Sequence, residues 1–119
     1  EIYLKEVRLK IQNEELITIK EFYDSYNKNI NIYGVYILYN KTKNKYYVGK
    51  SQNIVSRVKN HIEGRGNAHL FADLKYGDEF MISLVSYDSQ KFTSLNQQER
   101  FYISVFDAFE NGYNRTRGG

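Results

Sequence analysis

Between Tyr33 and His61 the chain reads YGVYILYNKTKNKYYVGKSQNIVSRVKNH, a stretch that leaves few folds open. A tyrosine-rich apolar run at 33–39 and a shorter one at 45–49 have strand composition, and the polar, lysine-bearing residues 40–44 between them read as a turn. The two runs therefore pair as an antiparallel hairpin, with Gly34-Val35-Tyr36 and Tyr47-Val48-Gly49 on neighbouring strands. Gly49 ends the second strand, where a bare backbone admits close approach by ligand or chain. Asn53 then suits the N-cap of a helix over 54–63, closed near Gly64, with Ile54, Val55, Val58 and Ile62 as its apolar stripe. Arg57 and His61, four residues apart, share a face at the flank of that stripe.

The rest of the chain supplies what packs around this unit. Residues 2–12 alternate loosely between apolar and charged, which predicts a short strand or a flexible arm. Thr18 with Glu21 matches a capping box for a helix over 18–27 carrying Ile19, Phe22, Tyr23 and Tyr26, ended by Asn27-Lys28-Asn29. A second short helix over 68–76 presents Leu70, Phe71 and Leu74 and stops at Gly77. The continuous apolar run FMISLVSY at 80–87 predicts a third strand, buried and central. Ser94 with Gln97 opens a helix over 95–108, with Leu95, Phe101, Tyr102, Val105, Phe106 and Phe109 on its apolar face and Glu99 near it. Residues 112–119, GYNRTRGG, are irregular by composition. The expected fold is α+β, a small three-stranded antiparallel sheet flanked by helices. Residues 1–31 read as an N-terminal extension (strand or arm plus helix) and residues 32–119 as the main domain.

Composition narrows the chemistry. Without cysteine there is no disulfide framework, zinc–thiolate site or cysteine nucleophile, and a reducing, cytoplasmic location is expected. No apolar run approaches the roughly 18 residues of a membrane span, so no membrane partner is expected. The net charge of +3 is unevenly spread: residues 41–65 hold seven basic side chains against Glu63 alone, a net +6, so the remainder carries −3. A basic segment on a slightly acidic domain predicts one polyanion-facing side.

The hairpin and helix also carry reactive groups. Two tyrosines on paired strands bring phenol oxygens near each other, able to hold or deprotonate a water molecule. Arginine offers a fixed fork of donors for a phosphate, histidine a group that titrates near neutral pH, and a glutamate an oxygen ligand for a hard divalent cation such as magnesium. These are the parts of metal-assisted phosphodiester hydrolysis.

Their spacing sharpens the reading. Gly34-Val35-Tyr36, ten intervening residues, Tyr47-Val48-Gly49, then Arg57, His61, the Glu99-Arg100-Phe101-Tyr102-Ile103 block and Gly112-Tyr113-Asn114 resemble the GIY-YIG nuclease superfamily over roughly residues 32–116. Both triplets have valine where the motif has isoleucine. The resemblance implies a DNA endonuclease, homing-type or stand-alone and phage-like, with repair, restriction and single-strand-specific nucleases as alternatives. It implies that Tyr36 activates water as a base or through a relay, and that Tyr47 orients the water or the scissile phosphate. Arg57 would stabilise developing negative charge, His61 assist proton transfer or hold the nucleophile, and Asn114 support the site. Glu99 would be the single protein carboxylate on Mg2+ or Mn2+. Lys41, Lys43, Lys45, Lys50, Lys59, Arg65, Arg115 and Arg117 are the candidate contacts to a DNA backbone, and His69 is a weaker one. The expected working form is a monomer or a transient dimer on DNA. A catalytically silent nucleic-acid-binding module would have lost Tyr36, Arg57 or Glu99, and all three are present. A plain structural domain with a basic hairpin would leave the spacing unexplained.

Overall fold

Two apolar faces of one antiparallel sheet organise the chain. The computed structural model describes residues 2–26 and 30–118. Its strands are β1 (Ile17–Thr18), β2 (Gly34–Asn40), β3 (Lys45–Ser51) and β4 (Phe80–Ser86), standing in the order β1-β4-β2-β3. The helices are α1 (Ile2–Glu14), α2 (Ile19–Ser25), α3 (Ile54–Ile62), α4 (Ala68–Tyr76) and α5 (Leu95–Val105).

The hairpin forms as its composition predicts, with Tyr36 opposite Gly49 and Leu38 opposite Tyr47. β4 runs antiparallel to β2 along its whole length, from Gly34 opposite Ser86 to Asn40 opposite Phe80. Its other edge takes β1, through Ile17 opposite Ile82 and Thr18 opposite Met81. The third predicted strand is thus interior, and the sheet has four strands where three were expected. A two-residue strand is too short for alternation to announce it.

Alternation along β2 and β3 feeds both faces. Tyr36, Leu38 and Ile82 face a core completed by Phe22 of α2, by Ile54, Val55 and Val58 of α3 and by Leu70 of α4. Val35, Ile37 and Val48 face the other core, with Ile103, Val105 and Phe106 of α5 and Ile11 of α1. That last residue corrects the expectation for residues 2–12, which form a helix rather than a strand or arm. Leu4, Val7 and Ile11 recur at helical spacing and pack in this core. Arg8 Nε also donates to the Val105 carbonyl at 2.7 Å, and Gln12 donates to the Tyr46 hydroxyl. Residues 2–26 therefore add β1 to the sheet, Phe22 to one core and Ile11 to the other.

Helix ends obey local chemistry. Thr18 and Glu21 close the predicted box, each side chain accepting from the other's backbone N–H at 2.8 and 3.0 Å. The residues 27–29 named as the terminator of α2 lie outside the described residues. Asn53 and Asn67 cap α3 and α4, and Gly77, at φ 115°, closes α4 in the left-handed region. Ser94 caps α5, but Gln97 reaches past it to the Thr93 N–H at 2.7 Å, so that box is not closed. α5 stops three residues before the predicted 108, where Phe106 caps it and Asp107 turns to φ 51°.

The irregular tail docks on the free edge of β3. The Tyr113 N–H donates to the Tyr46 carbonyl at 2.9 Å. The Asn114 side chain then donates to the Val48 carbonyl and accepts from the Val48 N–H, both at 2.8 Å, like one residue of a further strand.

Candidate active site

The groove end of the hairpin is organised by three rings. Tyr36 on β2, Tyr47 on β3 and His61 on α3 form a triangle, with centroids 6.1 Å apart between the tyrosines, 5.4 Å from Tyr36 to His61 and 4.9 Å from Tyr47 to His61. Tyr36 fits there only because Gly49 faces it across the strand pair, since a Cβ on Gly49 would collide with the Tyr36 hydroxyl. Tyr36 and His61 are each 1% exposed and lie behind half-buried Tyr47, which is the one ring of the three that borders the groove.

Hydrogen bonding fixes the protons. The backbone N–H of Asn67 donates to His61 Nδ1 at 3.0 Å, which assigns the remaining ring proton to Nε2. Nε2–H then donates to the Tyr36 oxygen at 2.8 Å. Burial, helped by the Arg57 charge, lowers the His61 pKa to about 4, so the imidazole is neutral at neutral pH. Burial and then Tyr47 raise Tyr36 above the ordinary phenol range, and Arg57 opposes this too weakly to reverse it. Burial also raises Tyr47, against the pull of Arg57 and Arg115. Both phenols keep their protons. His61 is hydrogen-bonded at both ring nitrogens, accepting at Nδ1 and donating at Nε2.

Above the rings lies an open groove of about 610 Å³, whose walls include Tyr47, Lys50, Arg57, Glu99, Asn114 and Arg115. Glu99 arrives from α5, which packs against β3. Only 9% exposed, it ion-pairs with Lys50, whose Nζ lies 3.2 Å from its Oε1. The hairpin, α3 and α5 thus converge as the motif spacing requires. Asn114 borders the groove, but both functions of its amide are taken by Val48, which makes it a brace for β3.

Six of the eight candidate DNA-contacting cations lie outside this groove. Lys43 is bound to Asp73 and Asp78, Lys41 sits 3.9 Å from Glu79, and Lys45 lies over the Tyr113 ring. Lys59 lies over Tyr23, Arg65 pairs with Glu63, and Arg117 pairs with Glu110. Lys50 and Arg115 line the groove, and His69, exposed on α4, does not.

Sequence reasoning missed Gly66 and Asn67. A Cβ on Gly66 would strike His61 Nδ1. Asn67 fixes the His61 tautomer, caps α4 through its side-chain oxygen and donates from Nδ2 to the Tyr113 carbonyl at 3.0 Å. Its capping role was legible as an Asn before an apolar helix, but its service to His61 had no signal.

The comparisons agree with this assembly. A family model described as the GIY-YIG catalytic domain matches residues 32–114. One similar solved structure is the catalytic domain of the intron endonuclease I-TevI carrying a glutamate-to-alanine substitution, with TM-score 0.57 and 24% identity, covering 73% of this chain and 96% of that one. A second, the catalytic domain of the homing endonuclease I-TevI, has TM-score 0.56 and 25% identity, covering 71% and 98%. No curated protein matches the sequence.

Proposed function

The chain belongs to the GIY-YIG catalytic-domain family, and from that membership and the groove we propose a metal-dependent DNA endonuclease, homing-type or stand-alone, that hydrolyses one phosphodiester bond per site. The observation that carries the reading is the arrival of Glu99 from α5 in the groove that holds Tyr47, Lys50 and Arg57. Both similar structures are described as catalytic domains of an intron or homing endonuclease, which favours the homing type over repair, restriction or single-strand-specific enzymes. DNA is then the partner. One active site suits a nick, and a double-strand break requires a dimer on the DNA or two events.

Each residue's part comes from its surroundings. Arg57 and Arg115 attract the scissile phosphate and stabilise charge on its oxygens as water attacks phosphorus and the alkoxide departs. Tyr47 holds the water or the phosphate from the wall. Tyr36, its oxygen accepting from His61, turns its own O–H toward Tyr47 on the groove wall, so it orients the attacking oxygen through Tyr47 as a neutral phenol and takes no proton before attack. His61 locks that phenol.

Among the described residues no group of three or more His, Asp or Glu side chains converges as a metal cage. A magnesium ion is commonly held by one or two carboxylates together with substrate phosphates and water, and Glu99 on the groove wall fits that scheme. Mg2+ or Mn2+ held there would neutralise phosphate charge and acidify a water within reach. Lys50 is the counter-charge on Glu99 until then.

The test is nicking of supercoiled plasmid, and cleavage of single-stranded DNA, with magnesium and with chelator, comparing wild type with Glu99→Ala. Magnesium-dependent nicking lost in the variant is expected. Equal activity in both proteins would overturn the assignment.

A further inference from the structure

We propose that the outer side of α5 carries a second nucleic-acid subsite, an aromatic and basic shelf that receives an unpaired segment of the DNA substrate next to the cut. The proposal rests on the nuclease reading and extends it by naming where the strand goes after it leaves the groove.

Successive residues of α5 divide the work. Glu99 and Ile103 face the catalytic groove. Arg100 and Phe101 face a separate open cavity of about 780 Å³, shared with Tyr3 of α1 and with Lys91 and Phe92 from the loop before α5. Among the described residues its lining holds no carboxylate; Glu15 and Asp88 border the adjoining cleft under α1, which shares Tyr3, Lys91, Phe92 and Phe101 with it. Arg100 and Lys91 are exposed, and neither forms an ion pair among the described residues. This contrasts with the lysines of the hairpin turn, each of which is occupied.

The aromatic part is equally specific. Tyr3 is 60% exposed although its ring lies 6.1 Å from Phe101, which in turn is 5.3 Å from Phe92. A tyrosine standing out beside two half-buried phenylalanines offers an open π-face, and bases stack on such faces without regard to sequence. Cations beside the rings supply the phosphate partners. Paired bases are already stacked and cannot use the rings, which selects an unpaired segment.

The shelf is continuous with the groove. Gly118 borders the groove, and a Cβ built on it would lie 2.7 Å from Arg100 Cγ and 3.4 Å from Glu99 Oε1. Arg100 of the shelf thus packs beside Gly118 at the edge of the groove.

The test is fluorescence anisotropy of the full chain with a labelled mixed-sequence single strand and with a blunt duplex, in chelator, over a salt series. Tyr3→Ala is expected to weaken single-strand binding about five- to a hundredfold with an unchanged salt slope, as loss of one stacked base does. Tyr3→Phe should restore it. Arg100→Ala should weaken single-strand binding and reduce the salt slope by about 0.7. Blunt-duplex binding should change less than about twofold in all three, with unchanged thermal midpoints. Single-strand affinities equal to wild type, or equal losses on both DNAs, would overturn the shelf. So would a dimer that dissociates in Tyr3→Ala, which would make the shelf a self-association face. If wild type nicks plasmid while these variants bind as wild type does, only the shelf fails. If wild type neither binds nor nicks DNA, the nuclease reading fails with it.

Discussion

The two ends of the β2–β3 hairpin use the same side-chain types and reach opposite results. At the turn end, Lys43 Nζ lies 2.6 Å from Asp73 and 3.3 Å from Asp78. Buried Asn40 donates to Asp78 and to the Tyr113 oxygen at 2.8 Å each, and the Tyr113 hydroxyl donates to Asp73 at 2.6 Å. Every group there has its partner inside the fold. At the groove end, Lys50, Arg57 and Arg115 stand around the single carboxylate of Glu99, beside open volume. Charge closed within the fold holds it together, whereas surplus charge beside a cavity is left for a ligand. Of the seven cations in the basic sequence segment, four pair with carboxylates, and Lys45 and Lys59 lie over aromatic rings. Of the seven, Lys50 and Arg57 line the groove.

The strongest way to break this contrast is to remove one charge from each end. Arg57→Ala should lower the nicking rate about 10²- to 10³-fold, the usual cost of losing a donor aimed at developing charge, with little change in thermal midpoint. Lys43→Ala should do the reverse, lowering the midpoint while leaving nicking within about twofold. If Lys43→Ala weakened DNA cleavage as much as Arg57→Ala did, the turn end would belong to the interface after all.

Tyr36→Phe probes the buried ring behind Tyr47. It removes the oxygen that accepts from His61 Nε2 and leaves a buried N–H without its partner, a loss of about 1–3 kcal/mol in stability. Nicking should fall by about 10²-fold or more if the phenol orients the attacking water. Cleavage at full rate would remove Tyr36 from the chemistry and leave it as packing.

Regular elements made the site legible in the sequence. Tyr36, Tyr47, Arg57 and His61 ride on two strands and one helix, so their separations fix which face and which level they occupy. Glu99 was legible as part of a motif, but its meeting with Lys50 depends on α5 docking against β3. Residues 2–12 superpose two periods: Val7, Leu9 and Ile11 alternate as in a strand, whereas Leu4, Val7 and Ile11 describe a helix stripe. Only packing against α5 decides between them. β1 exists because its partner β4 does, and two residues carry no period of their own. The pairing of the hairpin lysines was invisible because their carboxylates lie some thirty residues away, on α4 and just beyond it.

His61 gives a pH test of smaller size. Its folded pKa of about 4 lies below the ordinary value of 6.5, so between these values the unfolded chain binds more protons. Stability is therefore full above about pH 6.5 and falls as pH drops toward 4, by at most about 3 kcal/mol. Thermal melts of wild type should show this decline, and His61→Gln should flatten it. The nicking rate should show no inflection near pH 6.5. An inflection there would mean that His61 exchanges protons during turnover, against its bonding to Asn67 and Tyr36.

Ser83 supplies the smallest effect and the sharpest limit on the contrast. It sits in the middle of β4 opposite Ile37, on the face covered by α5, is 1% exposed, and its hydroxyl has no hydrogen-bond partner among the described residues. An unpartnered polar group marks the groove only where open volume lies beside it, and Ser83 borders neither the groove nor the shelf. Ser83→Ala deletes one oxygen that lost its water on folding and gained nothing in return. Stability should stay level or rise by up to about 1 kcal/mol, with nicking unchanged. A clear loss of stability would mean that the hydroxyl is bonded after all. A loss of nicking with stability intact would mean that the sheet interior communicates with the groove, and that the two ends of the hairpin are not the independent regions their bonding describes.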